Sequence, residues 1–565
     1  MILLDPKNHD RHYPDEASRE VMRKTIAFFE EKGKRALKRD DRDRVWYADF
    51  LEFVRKERIF ATMCTPAGYG GQDSRWDTWR ICEFAEILGF YGLHYWYTWQ
   101  VSVLGLGPIW MSDNEAIKDR TAKLLEDGAI FAFGLSERAH GADVYSTDME
   151  LIPQEGGGYK AQGEKYYIGN GNKAAIVSTF GKIRGTDDYV FFAVDSQHEN
   201  YECKRNVVNV QSYVSNYALN DYPIGDEDIL ERGSDAWNAA LNTVNIGKFN
   251  LGWASIGICT HAMYEAIRHA ANRHLYGQAV TDFPHVKQLF TDAYARLVAM
   301  KLVALRAADY MRSANSDDRR YLLYNPVVKM KVTTQGEDVM NHLWDVIAAK
   351  GFESDMYFEM AARDIRALPK LEGTVHVNIA LIIKFMPNFF FNPESYPEIP
   401  RRDDAADDSY LFAQGATRGL GQIRFHDYGP IFDEFDLPNV GVFREQVAAF
   451  REFLEKATPG DNQANDIDFL MAVGELFALV VYAQLFLENA KIYEIGDDLI
   501  GQVFDVFIRD LSAFAVDLHG KPSSTEAQQN FCLQMIRKPV VDVDRTSRVW
   551  ESEVLPLGSA YEMND

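Results

Sequence analysis

The chain has 565 residues, 47% of them apolar and 25% charged, the balance of an ordinary soluble globular protein. Its length predicts about three to four domains. Its 60 basic and 84 acidic residues leave a formal net charge of −24 with no Lys/Arg-rich tract, which argues against nucleic acid and anionic lipid as partners.

In chain order, roughly the first 125 residues read helical. Residues 20–32 carry Val21, Ile26, Phe28 and Phe29 at helical spacing, and a helical run over 79–90 follows the breaker loop Pro66-Ala67-Gly68-Tyr69-Gly70-Gly71. Near Ile130 the pattern changes to short β-rich runs over 131–135, 147–152, 159–168, 175–180 and 189–194. Glu155-Gly156-Gly157-Gly158 fits a hairpin turn between the second and third. Several short strands within about 110 residues predict a small antiparallel barrel or sandwich.

Helices return from about Ile246. Over 283–310, Val286, Phe290, Ala293, Leu297, Met300, Ala304 and Ala308 recur every three or four residues, the stripe of a bundle core. Helices are expected to continue through 321–350 and 374–385. Residues 387–438 show no period, and their run Asp403-Asp404-Ala405-Ala406-Asp407-Asp408 reads as a solvated loop. Further amphipathic helices follow over 440–456, 466–493 and 499–518.

The fold class is therefore mainly α with a central β domain. The expected division is an N-terminal helical domain (1–128), a β barrel or sandwich (129–244), a helical bundle (245–395), and a loop with a C-terminal helical extension (396–565). The most apolar stretch, 477–486, lies between Glu475 and Glu488 and is far short of the ~20 residues a membrane span needs, so no span is expected. Met1-Ile2-Leu3-Leu4-Asp5-Pro6-Lys7 has no basic stretch followed by an apolar run, so no secretion signal is expected. Cys64, Cys82, Cys203, Cys259 and Cys532 form no CxxC pair and lie away from histidine at ligand spacing. This argues against a zinc site and a disulfide scaffold, sets the metal expectation at none, and favours a reducing, cytoplasmic setting.

The chemistry-bearing segments follow one another in a fixed order. Phe133-Gly134-Leu135-Ser136-Glu137-Arg138-Ala139-His140-Gly141-Ala142-Asp143 is a strand that ends in a Ser-Glu pair and a turn. Gly163-Glu164-Lys165-Tyr166-Tyr167-Ile168-Gly169-Asn170-Gly171 is a second strand. Asn245-Ile246-Gly247-Lys248-Phe249-Asn250-Leu251-Gly252 opens a long helix that closes on Arg273-His274-Leu275-Tyr276-Gly277. Asp345-Val346-Ile347-Ala348-Ala349-Lys350-Gly351-Phe352 ends another helix, and Arg363-Asp364 precedes the carboxylate turn Leu371-Glu372-Gly373-Thr374. In this order the segments resemble those of the acyl-CoA dehydrogenase family, over about two thirds of the chain. The addition over 440–518 resembles the extension on very-long-chain acyl-CoA dehydrogenases and on acyl-CoA oxidases.

The resemblance implies FAD as cofactor and an acyl-CoA thioester as substrate, dehydrogenated at its α,β bond to a trans-2-enoyl-CoA. Glu372 is the implied base for the α-proton, with the flavin N5 as hydride acceptor. Phe133, Leu135 (through its backbone) and Ser136 (through its hydroxyl) are the implied holders of the flavin ring. Ala142 falls where the family has a Ser near the pyrophosphate. Tyr167 takes the place of a Trp beside the flavin, and Gly169 that of a Thr that bonds the N5 region. Arg273 and Tyr276 match an Arg-x-x-Phe-Gly end whose Arg binds flavin phosphate across a subunit interface, and its planar fork suits a phosphate.

Asp345 replaces a Gln and Ala348-Ala349 replace Gly-Gly in a segment that contacts the flavin diphosphate. Close backbone approach is easiest at Gly, so a weaker grip is expected there. Asp345, Ala349 and Thr374 complete the implied cofactor contacts. Asn245, Lys248 and Gly373 are the implied substrate contacts. Gly247 is a useful negative, since some relatives carry their catalytic Glu on that helix; its lack of a carboxylate leaves Glu372. The extension implies a homodimer, and the family resemblance an electron-transfer flavoprotein as electron acceptor. Three rival readings stand beside this one. They are an acyl-CoA oxidase that discharges to oxygen, a flavoenzyme of the same fold with other chemistry, and a degenerate relative with a non-catalytic binding role.

Overall fold

The β-rich runs beyond Ile130 form one mixed eight-stranded sheet in the computed structural model, which describes residues 2–9, 12–141, 143–415 and 419–565. The strands are β1 (Phe131–Gly134), β2 (Glu150–Pro153), β3 (Tyr159–Gly169), β4 (Ile176–Ile183), β5 (Tyr189–Val194), β6 (Tyr201–Asn206), β7 (Val214–Ile224) and β8 (Ile229–Arg232). Their order is β6-β7-β3-β2-β4-β5-β8, with β1 paired to β4. The expected all-antiparallel arrangement is corrected here, because β1 and β2 both run parallel to β4. β1 pairs Ile176 to Thr179 and β2 pairs Lys182 and Ile183, so the two lie end to end along β4 as one interrupted strand. The interruption, residues 135–149, carries Ser136 and Glu137.

Alternating residues such as Ala132, Leu151, Ala161, Ile168, Val177, Phe192, Tyr217 and Leu219 are buried together as the sheet core. The expected turn at 155–158 is present, closed by Gln154 N to Gly158 O at 3.1 Å. Strands β6, β7 and β8 went unnamed in the sequence reading, and β7 is the long partner of β3.

The chain forms two compact units. The first comprises 10–250, 403–418 and 563–565 and holds the sheet. Its Leu93–Met111 helix is apolar on every face and buried along almost its whole length. Asn170 Nδ2 ties β3 to the carbonyls of Thr98 and Phe131, at 3.0 Å each. The run 403–408 is a loop with Asp404, Ala405 and Asp407 exposed, as expected of a solvated loop, but its end is tied down. Asp408 is buried and accepts from Thr78 N at 2.8 Å, and Asp407 accepts from Trp76 N at 3.2 Å, which anchors the run at the start of the Thr78–Tyr91 helix.

The second unit comprises 1–9, 251–402 and 419–562. Its centre is the Pro284–Arg312 helix, with Pro at its first turn, where the missing N–H costs nothing. Every residue of the predicted stripe on it is buried. It packs against the helices Thr333–Ile347, Ile467–Ile492 and Asp497–His519. A bidentate pair from Arg296 to Asp510, at 2.7 and 2.8 Å, clamps it to the last of these.

The helical stretch expected over 321–350 runs as Tyr321–Val327, a wide π-type turn Val328–Val332, and Thr333–Ile347. Ile467–Ile492 corrects the length argument against a membrane span: its 26 residues and hydropathy of 2.0 are enough to cross a membrane by length and composition. Of its most apolar window, 83% is buried inside the protein, as for a core helix.

Candidate active site

In the first unit the ends of β1 and β3 bring five expected residues together. Phe133 stacks on Phe191 with ring centroids 5.9 Å apart. Leu135 lends its carbonyl to Lys165 Nζ at 3.0 Å. Ser136 and Tyr166 exchange two bonds: Tyr166 N donates to the Ser136 carbonyl at 2.9 Å, and Ser136 Oγ donates to the Tyr166 carbonyl at 2.7 Å. The Ser136 proton is thus spent within the protein, and its oxygen can still accept.

Tyr167 sits in a β-bulge, skipped between the pairs Tyr166–Asn216 and Ile168–Ser215. Its φ is 64° and it is 60% exposed. The bulge re-aims the side chain away from the ladder, so the phenol ring stands free of the sheet core, edge-on to Tyr166. Gly169 is different: a Cβ there would lie 2.7 Å from Tyr97 Cε1 and 2.8 Å from Val101 Cγ1. No Thr fits at 169, and Tyr97, which the sequence reading missed, fills the space.

A buried ion pair anchors this corner. Lys165 Nζ lies 2.7 Å from Glu137 Oε1 and 3.2 Å from Thr147 Oγ1. Burial pushes the Lys165 pKa down to about 8, against the pull of Glu137. Glu137, His140 and Asp148 hold metal-ligand atoms within 4.8 Å of one another, but the Glu137 carboxylate is already committed to Lys165, Thr147 and the Asp148 amide. Ala142, expected near the pyrophosphate, lies outside the described residues.

Asn245 and Lys248 sit where the Gly233–Gly247 helix ends and Asn250–Asn272 begins. Asn245 is half-buried and Lys248 buried. The expected opening of one long helix at Asn245 is thus corrected to a junction. Gln100 braces it, donating to the Gly247 carbonyl at 3.0 Å and accepting from Asn250 at 3.0 Å. A Cβ on Gly247 would lie 2.6 Å from Leu104 Cδ2, so a side chain at that position would require Leu104 to shift.

In the second unit, Arg273, Tyr276, Asp345 and Ala349 are all exposed. Tyr276 tips the small hairpin of β9 (His274–Leu275) and β10 (Gln278–Ala279) and is 96% exposed. Ala348 keeps φ 57° and ψ −139°, a conformation natural to Gly and strained by on the order of 1–2 kcal/mol for a residue with Cβ. The backbone of the Gly-Gly segment thus persists without its glycines.

Near this segment, His269 Nε2 is buried without a hydrogen-bond partner among the described residues. Burial, then the charges of Lys350 and Arg273, push the His269 pKa down. A half-buried imidazole beside two cations fits an anion. Taken by themselves, the first unit's outward Tyr167 ring and Ser136 acceptor oxygen suit a flavin ring, with no side-chain contact from Gly169, and the second unit's Arg273 and Lys350 suit a phosphate.

Glu372, Gly373 and Thr374 lie on one turn. Glu372 and Gly373 have φ of 51° and 88°, so the carboxylate-bearing residue is itself left-handed. Thr374 Oγ1 accepts from Val377 N at 3.4 Å as the cap of the helix Val375–Ile382. The Gly373 carbonyl accepts from Asn378 Nδ2 at 3.1 Å and from Lys329 Nζ. Lys329 was missed in the sequence; its signal was a charge set in the otherwise apolar run Val327-Val328-Lys329-Met330, with Lys331 next after it.

The sheet followed by a helical bundle is the architecture of acyl-CoA dehydrogenases. The acyl-CoA dehydrogenase of Bacillus anthracis, solved in complex with FAD, superposes with a TM-score of 0.72 at 15% identity, covering 99% of this chain and 97% of that one. Residues 235–386 match the family description "Acyl-CoA dehydrogenase, C-terminal domain". The CarC subunit of the caffeyl-CoA reductase–Etf complex of Acetobacterium woodii is 23% identical over 326 residues, 56% of this chain and 84% of CarC. The mitochondrial very long-chain specific acyl-CoA dehydrogenase of Rattus norvegicus is 25% identical over 373 residues, 63% of this chain but only 55% of that relative. Residues 235–386 thus match that family's C-terminal domain, and the chain shares the fold of its solved members.

Proposed function

We propose that the protein dehydrogenates an acyl-CoA thioester at its α,β bond to a trans-2-enoyl-CoA, with Glu372 as the base. FAD is the cofactor and, when bound, supplies the acceptor for the β-hydride. Leu135, Ser136 and Tyr167 would hold its ring end, and Arg273, Asp345, Ala349 and Thr374 its phosphate and adenosine end, with Lys350 added by its charge and His269 by its position.

The observation that carries the reading is a carboxylate at Glu372, held on the left-handed turn 372–373, beside the lack of one at Gly247. A thioester α-proton is weakly acidic, so a fixed carboxylate is needed to take it. The turn 371–374 offers that carboxylate on a backbone locked at both flanks. Backbone N–H groups of the turn can donate to the thioester oxygen as negative charge develops there. Asn245, Lys248 and Gly373 are the proposed substrate contacts.

An electron-transfer flavoprotein is the proposed electron acceptor, supported by the Etf complex named for the CarC relative. The assembly is proposed as a homodimer and its setting as cytoplasmic. The reading is tested with Glu372→Gln: the variant should keep its FAD and bind acyl-CoA, yet lose about 10²–10⁴-fold in the rate of flavin bleaching. Bleaching at the wild-type rate would remove Glu372 as the base.

A further inference from the structure

Lys329 is a fully buried lysine with no part in the reaction as described. It sits in the wide turn Val328–Val332, between the helices Tyr321–Val327 and Thr333–Ile347. The local sequence explains this turn. Pro326 cannot donate a backbone N–H, which loosens the preceding ladder. Thr333 Oγ1 donates to the Lys329 carbonyl at 2.6 Å and Thr334 Oγ1 to the Met330 carbonyl at 3.0 Å, satisfying carbonyls that the widened turn releases. Such turns insert an extra residue and re-aim the side chains that follow.

The lysine reaches the base turn. Its Nζ donates to the Pro369 carbonyl at 2.8 Å and to the Gly373 carbonyl. These carbonyls bracket Glu372, one upstream and one directly after it. Asn378 Nδ2 shares the Gly373 carbonyl at 3.1 Å. Burial lowers the Lys329 pKa to about 8, while the Glu372 carboxylate acts in the opposite sense. The two charges therefore feel each other across the turn. Glu372 and Gly373 are both left-handed, a shape a free turn abandons, so the tether has something to hold.

We propose that Lys329 is the positioning residue for the base: its ammonium ties the Pro369 and Gly373 carbonyls together and so aims the Glu372 carboxylate. The proposal rests on Glu372 being the base. A charge-assisted bond to each carbonyl is stronger than a neutral one, and Lys can supply both from a single atom. A methionine of similar volume would fill the space and leave both carbonyls untied.

The test compares Lys329→Met, Lys329→Gln and Glu372→Gln as FAD-loaded proteins. The substrates are butyryl-, octanoyl- and palmitoyl-CoA, with the best of them also α-deuterated. Amide hydrogen exchange over 369–374 is followed in parallel. Lys329→Met is expected to lose about a hundredfold in kcat, within the range of a misplaced acid–base group, with KM changed by less than about threefold. Its isotope effect should rise and its exchange over 369–374 quicken. Lys329→Gln, which keeps an N–H donor, should recover part of both, and it serves alone if the methionine variant does not fold.

Wild-type kcat, or unchanged exchange, in the Lys329 variants beside an inactive Glu372→Gln overturns the proposal. An active Glu372→Gln would instead overturn the functional reading and this proposal with it. The exchange data still report on the turn independently of that outcome.

Discussion

Gly169 and Tyr97 compete for one volume: a Cβ on the glycine would lie 2.7 Å from Tyr97 Cε1 and 3.0 Å from its Cζ. The end of β3 is therefore bare because the Leu93–Met111 helix presents a phenol there. The missing hydroxyl at 169 is a packing consequence of Tyr97, and the pair changes only as a unit.

Gly169→Thr should destabilise the protein by about 1–3 kcal/mol through overpacking. Adding Tyr97→Ala should make the double variant less unstable than the sum of the single changes, by more than about 0.5 kcal/mol. Urea unfolding of the four proteins measures this. Strictly additive costs would mean that the two side chains do not collide.

Ala348→Gly should stabilise. Relief of the left-handed strain is worth about 1–2 kcal/mol, against about 0.4–1 kcal/mol for the added freedom of glycine in the unfolded chain. The net expectation is a gain of about 1 kcal/mol in thermal unfolding. A lower melting temperature would show that the Ala348 conformation carries no strain.

Glu231 predicts a pH dependence. Burial first, then the negative charges of Asp113 and Asp235, push its carboxyl from 4.5 up to about 7, with Lys118 opposing. Between those values the folded state binds the proton more tightly than the unfolded one. Its contribution to stability is thus fully present below pH 4.5 and is lost as pH rises to about 7. Glu231→Gln should match the wild type near pH 4.5, exceed it above pH 7, and flatten the slope between. An unchanged slope would contradict the assignment.

Arg306→Met should be costly. Glu488 is buried and accepts from Arg306 Nε at 2.7 Å, Tyr310 Oη at 2.8 Å, Gln484 Nε2 at 2.8 Å and His426 Nε2 at 3.0 Å. Burial opposes its charge, but the bond from His426 and the charge of Arg306 outweigh it and hold the carboxyl well below the usual carboxylate range. Removing Arg306 strands that charge, at a cost of about 3–5 kcal/mol. Replacing Glu488 with Leu in the same chain should recover much of the loss. A cost below about 1 kcal/mol for Arg306→Met would place the pair among weakly coupled surface bridges.

What the sequence revealed follows how local each cause is. The stripe from Val286 to Ala308 and the turn at 155–158 were legible because their patterns repeat within a few residues. Glu372 was legible by its Gly-Thr neighbours and the order of segments before it. Its left-handed backbone was not, since a β-free turn motif looks alike in either hand. The bulge at Tyr167 depends on its register with Asn216 and Ser215, and the parallel pairing of β1 and β2 depends on β4; neither leaves a local trace. The burial of Asp408 at the end of the acidic run 403–408 was not legible, because its partner, the Thr78 amide, lies far upstream. Lys329 was legible only as an odd charge among valines.

The most direct measurement is an anaerobic visible spectrum of the purified protein, titrated with a panel of acyl-CoA thioesters. The account predicts a yellow, FAD-containing protein whose flavin band is bleached by at least one saturated acyl-CoA, with the matching enoyl-CoA formed. A colourless protein that takes up no FAD, or a yellow one bleached by no thioester, would contradict it.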